Sequence, residues 1–149
     1  MQGGQNYLPH NFLYYFWVLF VAQWPITFYI ISFMSGWHRL SIRFSTQEEP
    51  CGQTRSTGLF PYSVQMRFLN YNGCIRMTAA EDALYLSVLF LLRMGHPPLR
   101  IPWGEIQFST TKSFGMMFVV LTLGEKEKIR MRISEHMANK LGILERISN

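Results

Sequence analysis

The chain has 149 residues, enough for one folded domain, and carries 14 Lys and Arg against 9 Asp and Glu, a net charge of +5. Its mean hydropathy of +0.05 conceals an uneven distribution, because no Asp, Glu, Lys or Arg precedes Arg39. Two cysteines exclude a disulfide framework, and the lack of a dense basic run or a known nucleic-acid module in the sequence argues against nucleic acid as a partner.

The uncharged segment from Phe12 to Met34 is predicted to form a transmembrane helix. At 1.5 Å per residue it covers about 35 Å, more than the roughly 30 Å thickness of a hydrocarbon core. A cleaved signal peptide would need a basic start, a shorter apolar stretch and a small-residue cleavage site, none of which the sequence shows. We therefore expect residues 1–37 to hold a short tail and a retained membrane anchor.

The charges that flank this helix predict its orientation. Only His10 precedes it, whereas His38, Arg39 and Arg43 follow it. The positive-inside rule then places the C-terminal domain in the cytoplasm. Aromatic residues suited to the two membrane interfaces lie at both ends of the helix: Tyr14, Tyr15, Trp17 and Trp37.

Gln23 and Thr27, with Trp24 beside them, form a candidate partner-binding face near the centre of the helix. An amide at mid-membrane depth prefers a hydrogen-bonding partner, so this face could dock on another membrane subunit. Alternatively, Gln23 or Thr27 bonds locally to carbonyl groups that Pro25 frees. The sequence leaves both interpretations open.

Residues 38–57 are predicted to be a juxtamembrane segment and linker. Trp37, Leu40 and Phe44 recur at helical spacing with arginines between them, a pattern that favours a helix lying at headgroup level. From Ser45 to Thr57 the composition is typical of a linker. Cys51 falls in a predicted loop and Cys74 in a predicted strand, so both thiols are expected to be free.

Residues 58–149 are predicted to form a mainly-β domain. Val64 to Phe68 alternate as in a strand with one covered face, and Asn72-Gly73 is a hairpin signal before a strand from Cys74 to Ala79. Ala83 to Leu92 is an apolar run that predicts a buried central strand. Next come a strand from Leu99 to Phe108 bent around Pro102 and Gly104, a turn at Thr110 to Ser113, and strands at Met116 to Leu123 and Lys128 to Ile133. A terminal helix capped by Ser134 follows, and its apolar stripe is Met137, Ala138, Leu141 and Leu144.

The segments Ala83-Leu-Tyr-Leu-Ser87, Pro98-Leu-Arg-Ile-Pro-Trp103 and Glu105-Ile106 resemble a pattern of bacterial pleckstrin-homology-like (PH-like) and GRAM-type domains. The resemblance covers roughly residues 63 to 144. It implies a PH-like split barrel with a C-terminal capping helix. The chain is also similar to membrane-anchored bacterial proteins of uncharacterised function, which implies a bacterial inner or internal membrane.

The sequence offers little catalytic chemistry. Its four histidines are widely separated, and its carboxylate pairs fall in predicted loops or turns, so we expect neither an enzyme nor a bound cofactor or metal. A candidate headgroup-binding or partner-binding cluster is instead suggested, in which arginines lie beside an aromatic residue. Its members are Arg39, Arg43, Arg93, His96, Arg100 and Trp103. The alternative is that Trp103 belongs to the core and the arginines are solvated.

Two functions follow from these observations. The first is a non-enzymatic accessory or assembly subunit of a larger membrane protein complex, docking through the helix and the cytoplasmic domain. The second is a membrane-tethered module that binds anionic lipid. The sequence does not determine the oligomeric state.

Overall fold

A computed structural model describes residues 10–58 and 62–148; the predicted tail before His10 lies outside these residues. Helix α1 runs from His10 to Ser35 and leaves nearly all of its side chains exposed. It is long and apolar enough to cross a membrane. Gly36 terminates the helix. Its φ of +85° disfavours any side chain, and a Cβ added there would lie 2.7 Å from Ile129 Cδ1.

Helix α2, from Trp37 to Phe44, belongs to the folded domain. Trp37 and Leu40 are fully buried and Phe44 nearly so, and all three lie in the hydrophobic core. The expectation that Trp37 lies at a membrane interface is therefore wrong. The apolar stripe of this helix packs against the sheets because burying it removes three large apolar side chains from water.

Within residues 10–58 and 62–148, nine strands form two antiparallel sheets. The first sheet has the order β1-β4-β5-β6, with β1 at Arg55–Ser56, β4 at Ile75–Ala79, β5 at Ala83–Val88 and β6 at Leu99–Pro102. The second has the order β3-β2-β9-β8-β7, with β2 at Ser63–Met66, β3 at Leu69–Asn72, β7 at Ile106–Ser113, β8 at Met116–Leu123 and β9 at Ile129–Ser134. Buried residues alternate along β2, β4, β6, β9 and the second half of β8, and they meet in a common core.

The hairpin near the start of the domain is not where the sequence predicted it. The stretch Val64 to Phe68 is interrupted by a tight turn, in which Arg67 has a φ of +53°, so that Met66 pairs with Leu69. Phe68 therefore points to solvent with 82% of its surface exposed. Asn72-Gly73 instead makes the corner at which the chain leaves the second sheet for the first.

The predicted strand from Ala83 to Leu92 ends at Val88. A short 3-10 helix follows at Phe90–Leu92, and both Phe90 and Leu91 are exposed. The apolar run therefore contributes its first half to the core and its second half to the surface. Periodicity does not distinguish these halves, because every residue of the run except Ser87 and Tyr85 is aliphatic or aromatic without a polar group.

The rest of the domain largely follows the predicted order. The chain bends between β6 and β7 through a 3-10 turn at Trp103–Glu105 and so passes from one sheet to the other. The turn expected at Thr110 to Ser113 is wrong, because those residues extend β7 and the hairpin turns at Phe114-Gly115. Ser134 caps helix α3, Glu135–Lys140, by accepting from the Met137 amide. Gly142, with a φ of +70°, separates α3 from α4 at Ile143–Ser148.

Candidate membrane-facing surface

The C-terminal end of α1 is packed against the β domain. Ser32 is fully buried, and its hydroxyl donates a hydrogen bond to the carbonyl of Gly95 in the loop between β5 and β6. Gly95 has a φ of +79°, and a Cβ there would lie 3.2 Å from Tyr29 Cα. One turn later, the indole of Trp37 donates to the carbonyl of Pro97 in the same loop, over 2.9 Å. The loop is thus held by both helices.

A buried polar pair lies beneath this contact. The Tyr71 hydroxyl and His96 Nε2 are 3.0 Å apart, and the rings of both residues contact Trp37. Burial lowers the pKa of the His96 imidazole below its ordinary value, and burial raises the pKa of the Tyr71 phenol. Both side chains are therefore neutral at pH 7, and each provides the hydrogen-bonding partner that the other needs when it is buried.

An apolar cleft of about 210 Å³ opens between α1 and the domain. We call it the junction cleft. Phe28 and Ile31 of α1 form one wall, and Leu69, Val88 and Leu92 of the domain form the other. Asn70, Tyr71, Cys74 and His96 also line the cleft. Its lining is almost entirely carbon, because the Tyr71 and His96 polar atoms face each other.

Exposed apolar side chains and arginines lie on the two turns that border this cleft. In the β2–β3 turn, the Arg67 guanidinium lies 5.6 Å from the ring centroid of Phe68, and Arg67 also packs near Gly36 at the end of α1. In the β5–β6 loop, the Arg93 guanidinium lies 6.0 Å from the ring centroid of Phe90. We define the junction surface as these side chains together with Leu91 and Met94, which are exposed in the β5–β6 loop, and the exposed Arg39 of α2.

The structure does not gather the predicted headgroup residues into one cluster. Arg39 and Arg93 are exposed on the junction surface, and neither makes an ion pair within residues 10–58 and 62–148. His96 is buried and bonded to Tyr71, so in this arrangement it does not reach a headgroup.

The remaining predicted members, Arg43, Arg100 and Trp103, lie in other surroundings. Arg43 pairs with Glu105, and Arg100 pairs with Asp82 at 2.6 Å, which lowers the pKa of that carboxyl. Trp103 is half-buried, donates to the Ala80 carbonyl over 2.9 Å and is covered by Arg146.

Trp103 also lies too far from Arg93 to act with it. Ala80 and Asp82 precede the first residue of β5, whereas the loop that carries Arg93 follows its last residue. Six strand residues separate these two ends by roughly 17–20 Å.

Helix α1 shows both a local hydrogen bond and an aromatic ridge. The Thr27 hydroxyl donates to the Gln23 carbonyl over 3.0 Å, which is a bond within the helix but not a bond to the Val21 carbonyl that Pro25 frees. The Gln23 side-chain amide makes no hydrogen bond to any residue that the structure describes. Trp24 packs edge-on between Phe20 and Phe28, with ring centroids 6.4 and 5.7 Å apart, and forms part of an exposed ridge.

Sequence reasoning missed the apolar members of the junction surface and Arg67. Phe68 was assigned to a covered strand face, and Phe90 and Leu91 to a buried strand. The signal that could have found them is the pairing of an arginine with a nearby phenylalanine, Arg67-Phe68 and Phe90-Leu-Leu-Arg93. Such pairs are unusual in a strand that is buried on both faces.

Cys51 and Cys74 are both free thiols, as predicted. Among the described residues, no group of three or more His, Cys, Asp or Glu side chains is close enough to hold a metal ion. Comparisons with protein families, with curated proteins and with solved structures find no match to this chain.

Proposed function

We propose that this chain is a non-enzymatic, membrane-tethered module whose β domain binds anionic lipid through the junction surface. The observation that carries the proposal is the pairing of an exposed phenylalanine with an arginine on both turns beside the end of α1. A soluble domain gains nothing from exposing Phe68 and Phe90 in this way, whereas a domain resting on a bilayer does.

The chemistry of these pairs suits a lipid surface. An aromatic ring is stable at the boundary between headgroups and acyl chains, and arginine lays its aliphatic stem along apolar groups while its guanidinium binds phosphate oxygens in a bidentate manner. Each basic side chain close to an anionic leaflet contributes about 1 kcal/mol. Arg39, Arg67 and Arg93 are exposed and unpaired within the described residues, so their charges are available to phosphate groups.

The location of the chain belongs to the same proposal. We infer that α1 spans a bacterial inner membrane with the β domain in the cytoplasm. The basic residues that follow α1 support this orientation. The PH-like, GRAM-type resemblance supports the bacterial origin, and two antiparallel sheets followed by C-terminal helices are compatible with a PH-like split barrel.

The contact with the bilayer can be tested with an environment-sensitive fluorophore on the full chain in lipid nanodiscs. In a Cys51→Ser, Cys74→Ser background, the label is placed at Leu91→Cys. The matched control is Phe114→Cys, because Phe114 is 98% exposed at the tip of the β7–β8 hairpin. The other end of β8, Leu123, pairs with Ile129, which lies beside Gly36 at the end of α1. The hairpin tip is therefore roughly 25 Å away from the end of α1, measured along β8.

We expect a blue-shifted emission at position 91, quenched by nitroxide-labelled lipid headgroups, and a water-like emission at position 114. Water-like emission at both positions would reject the proposal. The role of charge is tested by replacing Arg39, Arg67 and Arg93 with Gln, which should remove any dependence of the position-91 signal on anionic lipid and on salt. Replacing Arg55, Lys112 and Lys140 changes the net charge equally and should leave both dependences intact.

A second candidate function, that of an accessory subunit of a membrane protein complex, is favoured by one observation. The Gln23 amide is exposed on α1 and lacks a hydrogen-bonding partner among the described residues. In hydrocarbon such a group is stabilised by a partner helix, and the aromatic ridge around Trp24 would add packing area.

Gentle detergent extraction from native membranes, followed by size separation, tests this second function. Gln23→Leu should release the chain from a larger complex, whereas the control Thr27→Val should not, because the Thr27 hydroxyl bonds within its own helix. Migration of the unaltered chain alone would remove the accessory-subunit candidate.

A further inference from the structure

We infer that the junction cleft binds the acyl chain of a membrane lipid, so that one lipid is held between α1 and the β domain. This inference deepens the proposed lipid-binding function and rests on it. The junction surface contacts headgroups, whereas the cleft would take the hydrocarbon part of a lipid molecule.

The first argument for this inference is the depth of the cleft relative to the membrane. A segment of about 20 helical residues spans the hydrocarbon core. Counted from Phe12, the first residue of the apolar segment of α1, such a segment reaches Ile31. Phe28 and Ile31, which form one wall of the cleft, therefore lie at the boundary of the hydrocarbon. The cleft opens where acyl chains are the surrounding solvent.

The second argument is the chemistry of the side chains that line the cleft. Phe28, Ile31, Leu69, Val88 and Leu92 present only carbon. Of the polar residues at the cleft, Tyr71 and His96 are neutral and bonded to each other, and the Asn70 amide is uncharged, so none of the three offers a charge to a phosphate. An apolar ligand is therefore favoured over a headgroup or a free anion.

The third argument is the volume of the cleft. A buried apolar cavity of about 150 Å³ accepts a benzene molecule. The junction cleft, at about 210 Å³, accepts a somewhat larger hydrocarbon group, such as several methylenes of one acyl chain. It is too small for a protein helix, so a packed helix of a partner does not fit within it.

Photo-crosslinking on the full chain in nanodiscs tests the inference. The lipid probe is a phosphatidylglycerol that carries a diazirine on its acyl chain, and the adducts are mapped by peptide mass spectrometry. We expect adducts on Tyr71, Cys74 or Leu92 within the cleft, in addition to those on the outward face of α1. Adducts confined to the outward face of α1 and to the junction surface would overturn the inference.

Two substitutions at adjacent positions sharpen this test. Ile31→Trp fills the cleft from the α1 wall, whereas Ile30→Trp makes the same change on the exposed side of the helix. We expect loss of the cleft adducts in Ile31→Trp and unchanged adducts in Ile30→Trp. Loss in both variants, or in neither, would count against a bound chain in the cleft.

The reactivity of the Cys74 thiol reports on occupancy of the cleft without requiring that the Ile31→Trp variant folds. In a Cys51→Ser chain it is the remaining cysteine, and it is partly exposed at the cleft. Its reaction with a small maleimide should be slower in nanodiscs than in a short-chain detergent from which lipid has been removed. Equal rates would contradict lipid occupancy.

The two proposals fail separately. A blue-shifted label at Leu91 with no cleft adduct would retain the lipid-binding surface and remove only the acyl-chain site. Water-like emission at Leu91 together with adducts restricted to α1 would remove both.

Discussion

The Trp37 indole Nε1–H donates a hydrogen bond to the carbonyl of Pro97 over 2.9 Å and joins the start of α2 to the loop that packs on α1. Trp37 is also fully buried in the core of the β domain. A residue that follows the candidate membrane helix by two positions is therefore part of the domain interior. Helix α1 and the domain are connected without a flexible linker, since only Gly36 separates α1 from α2.

The first prediction concerns this hydrogen bond. Trp37→Phe keeps an aromatic ring in the core but removes the donor, which leaves the Pro97 carbonyl without its partner. We expect the free energy of unfolding to fall by about 1–3 kcal/mol. Thermal unfolding of the detergent-solubilised chain, followed by near-ultraviolet circular dichroism, measures the change. Trp24→Phe is the control, because Trp24 is exposed on α1, and an equal loss in both variants would contradict the assigned role.

The second prediction concerns the contact of the β5–β6 loop with α1. Gly95→Ala places a Cβ 3.2 Å from Tyr29 Cα at a φ of +79°, so we expect a loss of about 1–2 kcal/mol and faster hydrogen exchange at residues 93–97. In contrast, Gly104→Ala meets no heavy atom within 4 Å and has no positive φ, so its stability should change little. Unaltered exchange in Gly95→Ala would show that the loop does not depend on this close approach.

The third prediction concerns pH. His96 titrates near 6.5 in an unfolded chain, and burial lowers its pKa in the folded protein. Between the folded pKa and 6.5 the unfolded state binds more protons, so stability rises with pH in that window. The contribution of neutral His96 is fully present above pH 6.5 and is lost as the pH falls below it. The groups that face the imidazole are the Tyr71 hydroxyl, the Met94 carbonyl and the Trp37 ring.

Melting temperatures measured from pH 7.5 down to pH 5 test this prediction. The unaltered chain should lose stability on acidification, and His96→Gln should flatten the slope because glutamine does not titrate. His136→Gln is the control, since His136 is exposed and stacks on Tyr62, and it should keep the slope of the unaltered chain. An unchanged slope in His96→Gln would assign the pH dependence to another group.

Several elements could be predicted from the sequence because their signals are local. The uncharged run before Arg39 predicts a long apolar helix, and β8 at Met116–Leu123 has the predicted bounds. The Ser134 cap follows from short-range backbone chemistry, whereas the single terminal helix that the sequence predicts is divided in two at Gly142. Each of these features depends on residues within one or two turns of the chain.

The candidate site could not be predicted in the same way. Arg93, His96, Arg100 and Trp103 are near neighbours in sequence, yet the strand β6 carries the last two away from the loop that holds the first two. Phe68 and Phe90 are 22 positions apart and look like core residues, and only the packing of their turns beside α1 places both on one exposed surface.

The sequence by itself determined the apolar helix, the strand-rich domain and the bounds of β4, β8 and β9 to within one residue, because backbone propensity and side-chain periodicity are properties of neighbouring residues. The tertiary structure alone decided which apolar residues are buried. The two sheets, α2 and the C-terminal helices share one core, and Phe68, Phe90, Leu91 and Met94 lie outside it on the surface. Which side chains are excluded depends on the volume that distant segments occupy together, and no local pattern records that volume.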